Sequence, residues 1–393
     1  MNRRLLAVMG GSIGGLTAAV LLRDAGWEVE VFERSPSTLA GRGAGIVLHP
    51  ESARYLVDRL GYRLDQISER ARWLRFLDRD GKPTYQTECR YRFTAWNTLY
   101  LPLRQSLGED AYHFGREVTV IHPGPDEVML EFADGDTDTC SLLVCADGIA
   151  STARDQLLPQ AGPRFAGYLG WRGVVRESEL DPEVFEALYE AITYYTPTSS
   201  HILSYPIPNP NQGERLLNYV WYRNLDGDLG EAMTDRHGER RALSIPPGAV
   251  APHQTESLYT AAEELLPRHL AMMVTATTEP FIQAVVDVEV PQMAFGRLAL
   301  MGDAAFAARP HAAAGTAKAA ADAWALVMAL ERAEGDIPAG LAAWESERLG
   351  RGRELVARAR RLGVMAQIEN RFQGDDPEIL FGLERAGDSC FDN

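Results

Sequence analysis

The sequence predicts an α/β chain: a Rossmann-like domain interleaved with a mainly antiparallel β domain and followed by C-terminal helices. Three observations predict it. The N-terminal stretch Leu5 to Glu33 reads as strand, glycine turn, helix, strand, acid. Two later apolar runs end in Asp147-Gly148 and Gly302-Asp303, each followed by a helix start. Between them, from about 165 to 290, short aromatic runs separated by proline and glycine replace helical periodicity.

Leu5-Leu6-Ala7-Val8-Met9 is a buried-strand run, and Gly10-Gly11-Ser12-Ile13-Gly14-Gly15 is a turn. Ala18, Leu21, Leu22 and Ala25 then recur at helical spacing until Gly26. Glu28-Val29-Glu30-Val31-Phe32 delivers Glu33. This is the dinucleotide fingerprint in its required context. The glycines let backbone approach a pyrophosphate, and the acid accepts from ribose hydroxyls. Ser12 replaces the middle glycine and offers a hydroxyl to phosphate.

Gly41 to Gly45 forms a second glycine-rich loop before Ile46-Val47-Leu48, and Pro50-Glu51 opens a helix. Residues 72 to 96 alternate in short pieces around Asp80-Gly81, the first hairpin of an inserted domain. A helix near 100 to 108 and strands near 117 to 121 and 127 to 132 return to the first domain. Leu142 to Cys145 is a strand entering Asp147-Gly148, and Ser151 opens a helix carrying Arg154. From 165 to 290 the runs Tyr194-Tyr195, His201 to Pro206 and Leu217 to Tyr222 predict an antiparallel sheet with one face covered, a lid over an aromatic ligand. Residues 228 to 258 read as loop-rich. Leu300-Met301-Gly302-Asp303 leads through Arg309-Pro310-His311 into an alanine-rich helix from Gly315 to about Ala333, stopped at Gly335. That helix start aims unsatisfied N–H groups and a positive dipole end at its ligand. After 338 a helical tail carries Arg348, Arg351, Arg353, Arg358, Arg360 and Arg361 among acids: a solvated face, with a homodimer contact as the alternative.

The domain division follows: 1–71, 99–164 and 291–337 form the dinucleotide domain, 72–98 and 165–290 the second domain, and 338–393 the helical region. A formal charge of −16 over 393 residues excludes nucleic acid and an anionic membrane as partners. Residues 5 to 22, free of charge after Arg3-Arg4, contain too many glycines for a signal segment, so a cytoplasmic location is expected. Cys89, Cys140, Cys145 and Cys390 lack metal or C-x-x-C spacing and read as reduced thiols.

In order and spacing, the three motifs near 10, 147 and 303 resemble those of the flavoprotein aromatic hydroxylases, which have the p-hydroxybenzoate hydroxylase fold. Gly302, Asp303, Pro310, Gly315 and Asp322 match that family's Gly-Asp signature; Phe306 and Ala313 depart from its usual His and Gly. Three stretches, Arg309 to Gly315, Gly41 to Val47 and Tyr168 to Gly173, are most similar to the 2,6-dihydroxypyridine 3-hydroxylase branch. Tyr100 stands where many relatives carry an arginine toward the flavin chain, with Arg104 one turn on.

The resemblance implies FAD as cofactor, NADH or NADPH as co-substrate, O2, and a small aromatic substrate, with no metal. It implies hydride reduction of FAD, a C4a-hydroperoxide, and oxygen transfer to an electron-rich ring. Gly10, Ser12, Ile13, Gly14, Gly15, Glu33 and Arg34 would hold the adenosine and pyrophosphate, with Gly45, Val118 and Asp147 also on the cofactor. Asp303 would lie near the ribityl chain, and Pro310, Ala313, Ala314, Gly315 and Thr316 would meet the isoalloxazine. Four residues are candidates for the substrate-activating base or relay: His49, Tyr205, Tyr222 and His311. The expected activity is hydroxylation of a hydroxypyridine. The alternatives are hydroxylation of a phenolic or other biosynthetic intermediate, a flavin reductase, and a non-catalytic flavin-binding protein. A reductase would need a second dinucleotide unit, and none is present in the sequence.

Overall fold

The computed structural model describes residues 5–41, 44–209 and 213–391. Arg3-Arg4, and Arg42-Gly43 of the second glycine loop, lie outside the described residues.

A six-stranded sheet forms the first layer, in the order Ala294–Phe295, Leu298–Leu300, Leu142–Cys145, Leu5–Met9, Glu28–Glu33, Tyr112–Phe114. All its strands run parallel except the edge strand Ala294–Phe295. Leu6, Val8, Leu142, Leu143 and Val144 are wholly buried, as expected where both faces of a parallel sheet are covered. The helix Ile13–Asp24 lies between Trp96–Leu107 and Gly315–Arg332. Cys145 and Gly302 therefore end neighbouring strands, which brings the three motifs to one edge of the sheet.

The second layer is a nine-stranded sheet built around Arg164–Arg176, paired with Leu216–Asn224 on one side and Phe281–Glu289 on the other. Pairing is antiparallel except between Ala191–Tyr195 and Trp73–Leu77. The period of two sorts its side chains. Tyr168, Gly170 and Arg172 point to one face; Leu169 and Trp171 point to the other. On the neighbouring strands His201, Leu203, Tyr205, Val220 and Tyr222 share the first face, whereas Ile202, Tyr219 and Trp221 share the second.

That second face is covered by the helices Pro182–Tyr189, Pro252–Leu265 and Arg268–Thr275. The loop-rich reading of 228–258 is thus corrected at its end. Pro252 starts a helix at its first position, where proline's fixed φ is an advantage, and the prolines before it obscure the periodicity. The hairpin Trp73–Leu77 and Pro83–Glu88 joins the edge of this sheet, but Arg92–Ala95 leaves it to pair with Gly45–Leu48 and Glu69–Arg70.

The helical tail is one helix, Ile337–Gln367, packed along Gly315–Arg332. Its arginines are only in part a solvated face: Arg351, Arg353 and Arg361 are exposed, but Arg348, Arg358 and Arg360 are drawn into the chain. Arg348 is 4% exposed and pairs with buried Asp322. Arg360 pairs with Asp287 and Glu289, and Arg358 donates to the Gly382 carbonyl. The reason is topological: this helix crosses over the start of the alanine-rich helix and the end of the sheet, where acids of both are buried.

Candidate active site

The N-terminal turn is tight because its glycines leave no room for anything else. Gly10 has φ +100, and a Cβ there would sit 2.4 Å from the Ala146 carbonyl oxygen. A Cβ on Gly15 would sit 1.9 Å from the Gly10 oxygen, and one on Gly14 would touch Ala319. Glu33, at the end of the second strand, accepts from Gly11 N at 2.9 Å and from Ser35 N at 2.8 Å. Gly10, Ser12, Glu33, Arg34, Val118, Asp147 and Asp303 line one cleft of about 360 Å³. Ile13, Gly14 and Gly15 do not line it: Ile13 is buried, Gly15 packs under the turn against Val8 of the first strand, and Gly14 faces Ala319 of the alanine-rich helix. Asp147 accepts from the Ser151 hydroxyl at 2.7 Å and from Ala153 N at 3.2 Å, and burial pushes its carboxyl up.

The Gly302-Asp303 turn rests on a buried charge network. Gly302 N donates to Asp322 Oδ2 at 3.1 Å, and Lys318 Nζ donates to the Gly302 oxygen at 2.8 Å. Lys318 lies 2.7 Å and Arg348 2.9 Å from the Asp322 carboxylate. Burial pushes the Asp303 carboxyl up, with Lys318 opposing. Phe306, the departure from a family His, lies under Lys318 and against Gly352, where a Cβ would strike its ring.

Beyond the turn, Ala313 adopts φ +55, and its carbonyl accepts from His49 Nε2 at 3.0 Å. The helix Gly315–Arg332 then opens onto free space: a Cβ on Gly315 would find only Asp303 Oδ1, at 4.0 Å. The N–H groups of its first turn have no intrahelical acceptor.

Pro310, Ala313, Ala314, Gly315 and Thr316 form one wall of a second cavity, of about 410 Å³. The sheet's first face forms the opposite wall, with Gly45, Tyr205, Tyr222 and His311 also lining it. Three of the four candidate bases therefore meet there. His49 does not. Its ring is buried behind the wall, its Nε2 engaged by Ala313, and burial lowers its pKa to about 4. Burial also pushes the phenols of Tyr205 and Tyr222 up and holds His311 well below the usual imidazole range.

Sequence reasoning missed three residues at and behind this wall. His201 packs 5.0 Å from His311 and 4.6 Å from Tyr222 between ring centroids. Tyr168 lies behind, its hydroxyl 2.6 Å from His311 Nε2. Gln367 holds His201 from the last helix. The alternation of the strands carried a signal for the first two, because His201 shares a face with Tyr205, and Tyr168 shares one with Arg172. Arg172 spans from Gln283 Oε1, at 3.0 Å, to the Gly45 carbonyl, at 2.7 Å, where Tyr205 also donates. It is the one cation lining the cavity among the described residues.

Cleft and cavity meet at Ile149, Leu243 and Asp303. Together they fit an extended two-part cofactor, with an acid at the sugar end and open helix N–H groups at the ring end. The helix Trp96–Leu107 sends no arginine into either space. Tyr100 is fully buried and stacked on Trp96, and Arg104 lies over Tyr112 and Phe114. The four cysteines are free thiols. No group of three metal-ligating side chains occurs among the described residues. None of their helices is long and apolar enough to cross a membrane.

Residues 8–79 match a family described as an NAD(P)-binding Rossmann-like domain, and residues 165–287 one described as FAD binding domain-like. The chain is 35% identical over 384 residues to 2,6-dihydroxypyridine 3-monooxygenase of Paenarthrobacter nicotinovorans, covering 97% of this chain and 96% of that protein. It is 31% identical to a 3-amino-4-hydroxybenzoate 2-monooxygenase of Streptomyces platensis, covering 92% and 88%. The solved structure of 2,6-dihydroxypyridine-3-hydroxylase from Arthrobacter nicotinovorans superposes with a TM-score of 0.93 at 35% identity, covering 98% of both chains.

Proposed function

Because the chain belongs to the FAD-dependent aromatic hydroxylases, we propose that it adds one oxygen to a hydroxypyridine ring, drawing electrons from NADH or NADPH. The observation that carries the substrate class is the make-up of the second cavity. Its walls are mainly aromatic and apolar, imidazoles and phenols stand on the sheet side with Ser244, Gln283, Asp303 and Thr316 around them, and its one cation among the described residues is Arg172. Such a cavity suits a small heteroaromatic whose ring oxygen is ionised. An activated ring is also what electrophilic oxygen transfer requires. The likeness to a dihydroxypyridine monooxygenase along nearly the whole chain supports the same class.

Bound FAD supplies acceptance of a hydride and activation of dioxygen. The chain's own residues do the rest. Glu33 would accept from ribose hydroxyls, while Gly10 and Ser12 leave backbone and a hydroxyl for the pyrophosphate. Asp303 would stand at the passage between cleft and cavity. The helix start at Gly315 and Thr316 would present N–H groups to the ring edge where negative charge gathers on reduction, so its field strengthens as that charge forms. Tyr205 and Arg172 would hold Gly45 against the other side of the ring.

The division into a cofactor domain (1–71, 99–164, 291–337), a substrate domain (72–98, 165–290) and a helical region belongs to this proposal, and so does a cytoplasmic location, where nicotinamide cofactors are drawn on. Arg351, Arg353 and Arg361 of the last helix remain exposed, and a homodimer contact there enters only as an alternative. Oxidation of NADH and NADPH by the flavin-loaded protein tests the proposal against a panel of hydroxypyridines and hydroxybenzoates. Hydroxypyridines should accelerate it most. Acceleration by hydroxybenzoates alone would move the substrate to the phenolic alternative, and none with any ring would favour a reductase or a binding protein.

A further inference from the structure

His201 and His311 close one end of the aromatic cavity, and each is gripped at a single ring nitrogen. Gln367, the last residue of the C-terminal helix, directs its amide Nε2 at His201 Nδ1 from 2.8 Å. An amide N–H only donates, so Nδ1 accepts and the proton of the neutral ring sits on Nε2. No protein group meets that Nε2 among the described residues.

At His311 the grip is on the other nitrogen. The Tyr168 hydroxyl lies 2.6 Å from Nε2. Arg309, itself held 3.0 Å from Asp287, lies over the ring of the same tyrosine. No other acceptor meets this phenol among the described residues, so Tyr168 gives its proton to Nε2, and the hydrogen of the neutral ring falls on Nδ1. His311 Nδ1 is buried and has no partner. A donor without an acceptor costs about 1–3 kcal/mol when buried; His311 Nδ1 is closed off within the protein, whereas His201 lines the cavity with its Nε2 unmet, a place where a ligand brings the acceptor.

We propose that His201 Nε2–H is a donor site for the ionised ring oxygen of the substrate, with His311 closing the cavity beside it, and that Gln367 is the positioning residue that fixes the His201 tautomer. This deepens the hydroxypyridine reading and rests on it. The surroundings agree. Besides each other, the two rings face Tyr168, Tyr222 and Phe372, burial keeps the two phenols protonated, and Arg309 stands behind. Arg172 lines the same cavity, and its one carboxylate is Asp303, on the helix side. An oxyanion there meets donors and a cation. A buried neutral imidazole is a weak base, so this end of the cavity activates the ring by favouring its anion rather than by taking its proton.

The test reads the ionisation of the bound ring directly. Difference absorption of the FAD-loaded protein, without nicotinamide, is recorded from pH 5 to 9 with 2,6-dihydroxypyridine and, separately, 6-hydroxynicotinate. The bound ring should ionise at least about one pH unit below its value in water. His201→Phe should remove most of that shift, and His201→Asn, which keeps an N–H donor, should restore part of it. Gln367→Glu reverses the polarity of the grip and should abolish the shift at His201 while ligand is still bound. Gln367→Met guards against misfolding of the charged variant and should give a smaller loss. A wild-type protein that binds these rings with their ionisation unchanged would overturn the His201 donor site and leave the substrate class intact, as would variants that keep the full shift. Failure to bind either ring would instead overturn the substrate reading, and the donor site with it.

Discussion

Arg348 Nε lies 2.9 Å from Asp322 Oδ1, while the other oxygen of that carboxylate accepts from Gly302 N at 3.1 Å. The last helix thus sets the conformation of the Gly302-Asp303 turn through one buried acid. Lys318, 2.7 Å from the same group, completes the site. Asp322→Asn leaves two buried cations short of a counter-charge. It should cost about 3–5 kcal/mol of stability and weaken FAD retention with it. Denaturant unfolding and flavin fluorescence check both. A loss below about 1 kcal/mol would mean that the turn stands without this network.

Ala313 holds φ +55, a left-handed conformation that strains any side chain. Glycine relieves the strain at some cost in unfolded-chain entropy. Ala313→Gly should therefore stabilise the protein by about 0.5–1 kcal/mol, seen as a higher unfolding midpoint. Destabilisation would show that the Ala313 methyl contributes more by packing than its backbone loses.

Burial lowers the pKa of His49 to about 4 and of His201 to about 3, against 6.5 for the ordinary side chain. The unfolded chain then binds more protons than the native one between about pH 6.5 and 3, so stability rises with pH across that window. The contribution is fully present above pH 6.5 and is lost as pH falls, on the order of 3 kcal/mol for His49 and 5 kcal/mol for His201. Unfolding free energy measured from pH 7.5 to 4.5 should show this slope, and His49→Asn should flatten it. An unchanged slope in that variant would place the acid sensitivity elsewhere.

Glu33 accepts from Gly11 N at 2.9 Å as well as standing in the cleft. Glu33→Ala should weaken FAD binding by about 1–3 kcal/mol. Titration of the apoprotein with FAD measures it, and unaltered affinity would remove Glu33 from the ribose.

The fold was legible where periodicity and turn chemistry agree: the strand, turn and helix from Leu5 to Asp24, the Asp80-Gly81 hairpin, and the helix from Gly315. The family and its FAD-dependent aromatic chemistry followed from those motifs and are borne out. Long-range pairing was not legible. Arg348 reads as one more surface arginine until the helix is known to cross above Asp322. Likewise His201 and Gln367 lie far apart in the chain, and nothing local announces that a C-terminal amide fixes an imidazole on a β-strand. His49 read as a base because it follows a glycine loop, yet the loop turns its ring behind the cavity wall.

The central claim is that this cavity presents a hydroxypyridine for oxygen transfer. The measurement that tests it most directly is product mass after turnover under labelled O2 with NADH or NADPH and 2,6-dihydroxypyridine. The account predicts a ring product carrying one labelled oxygen, formed in step with nicotinamide consumed. Nicotinamide consumption that yields only hydrogen peroxide with every hydroxypyridine, with label entering another class of ring, would contradict it.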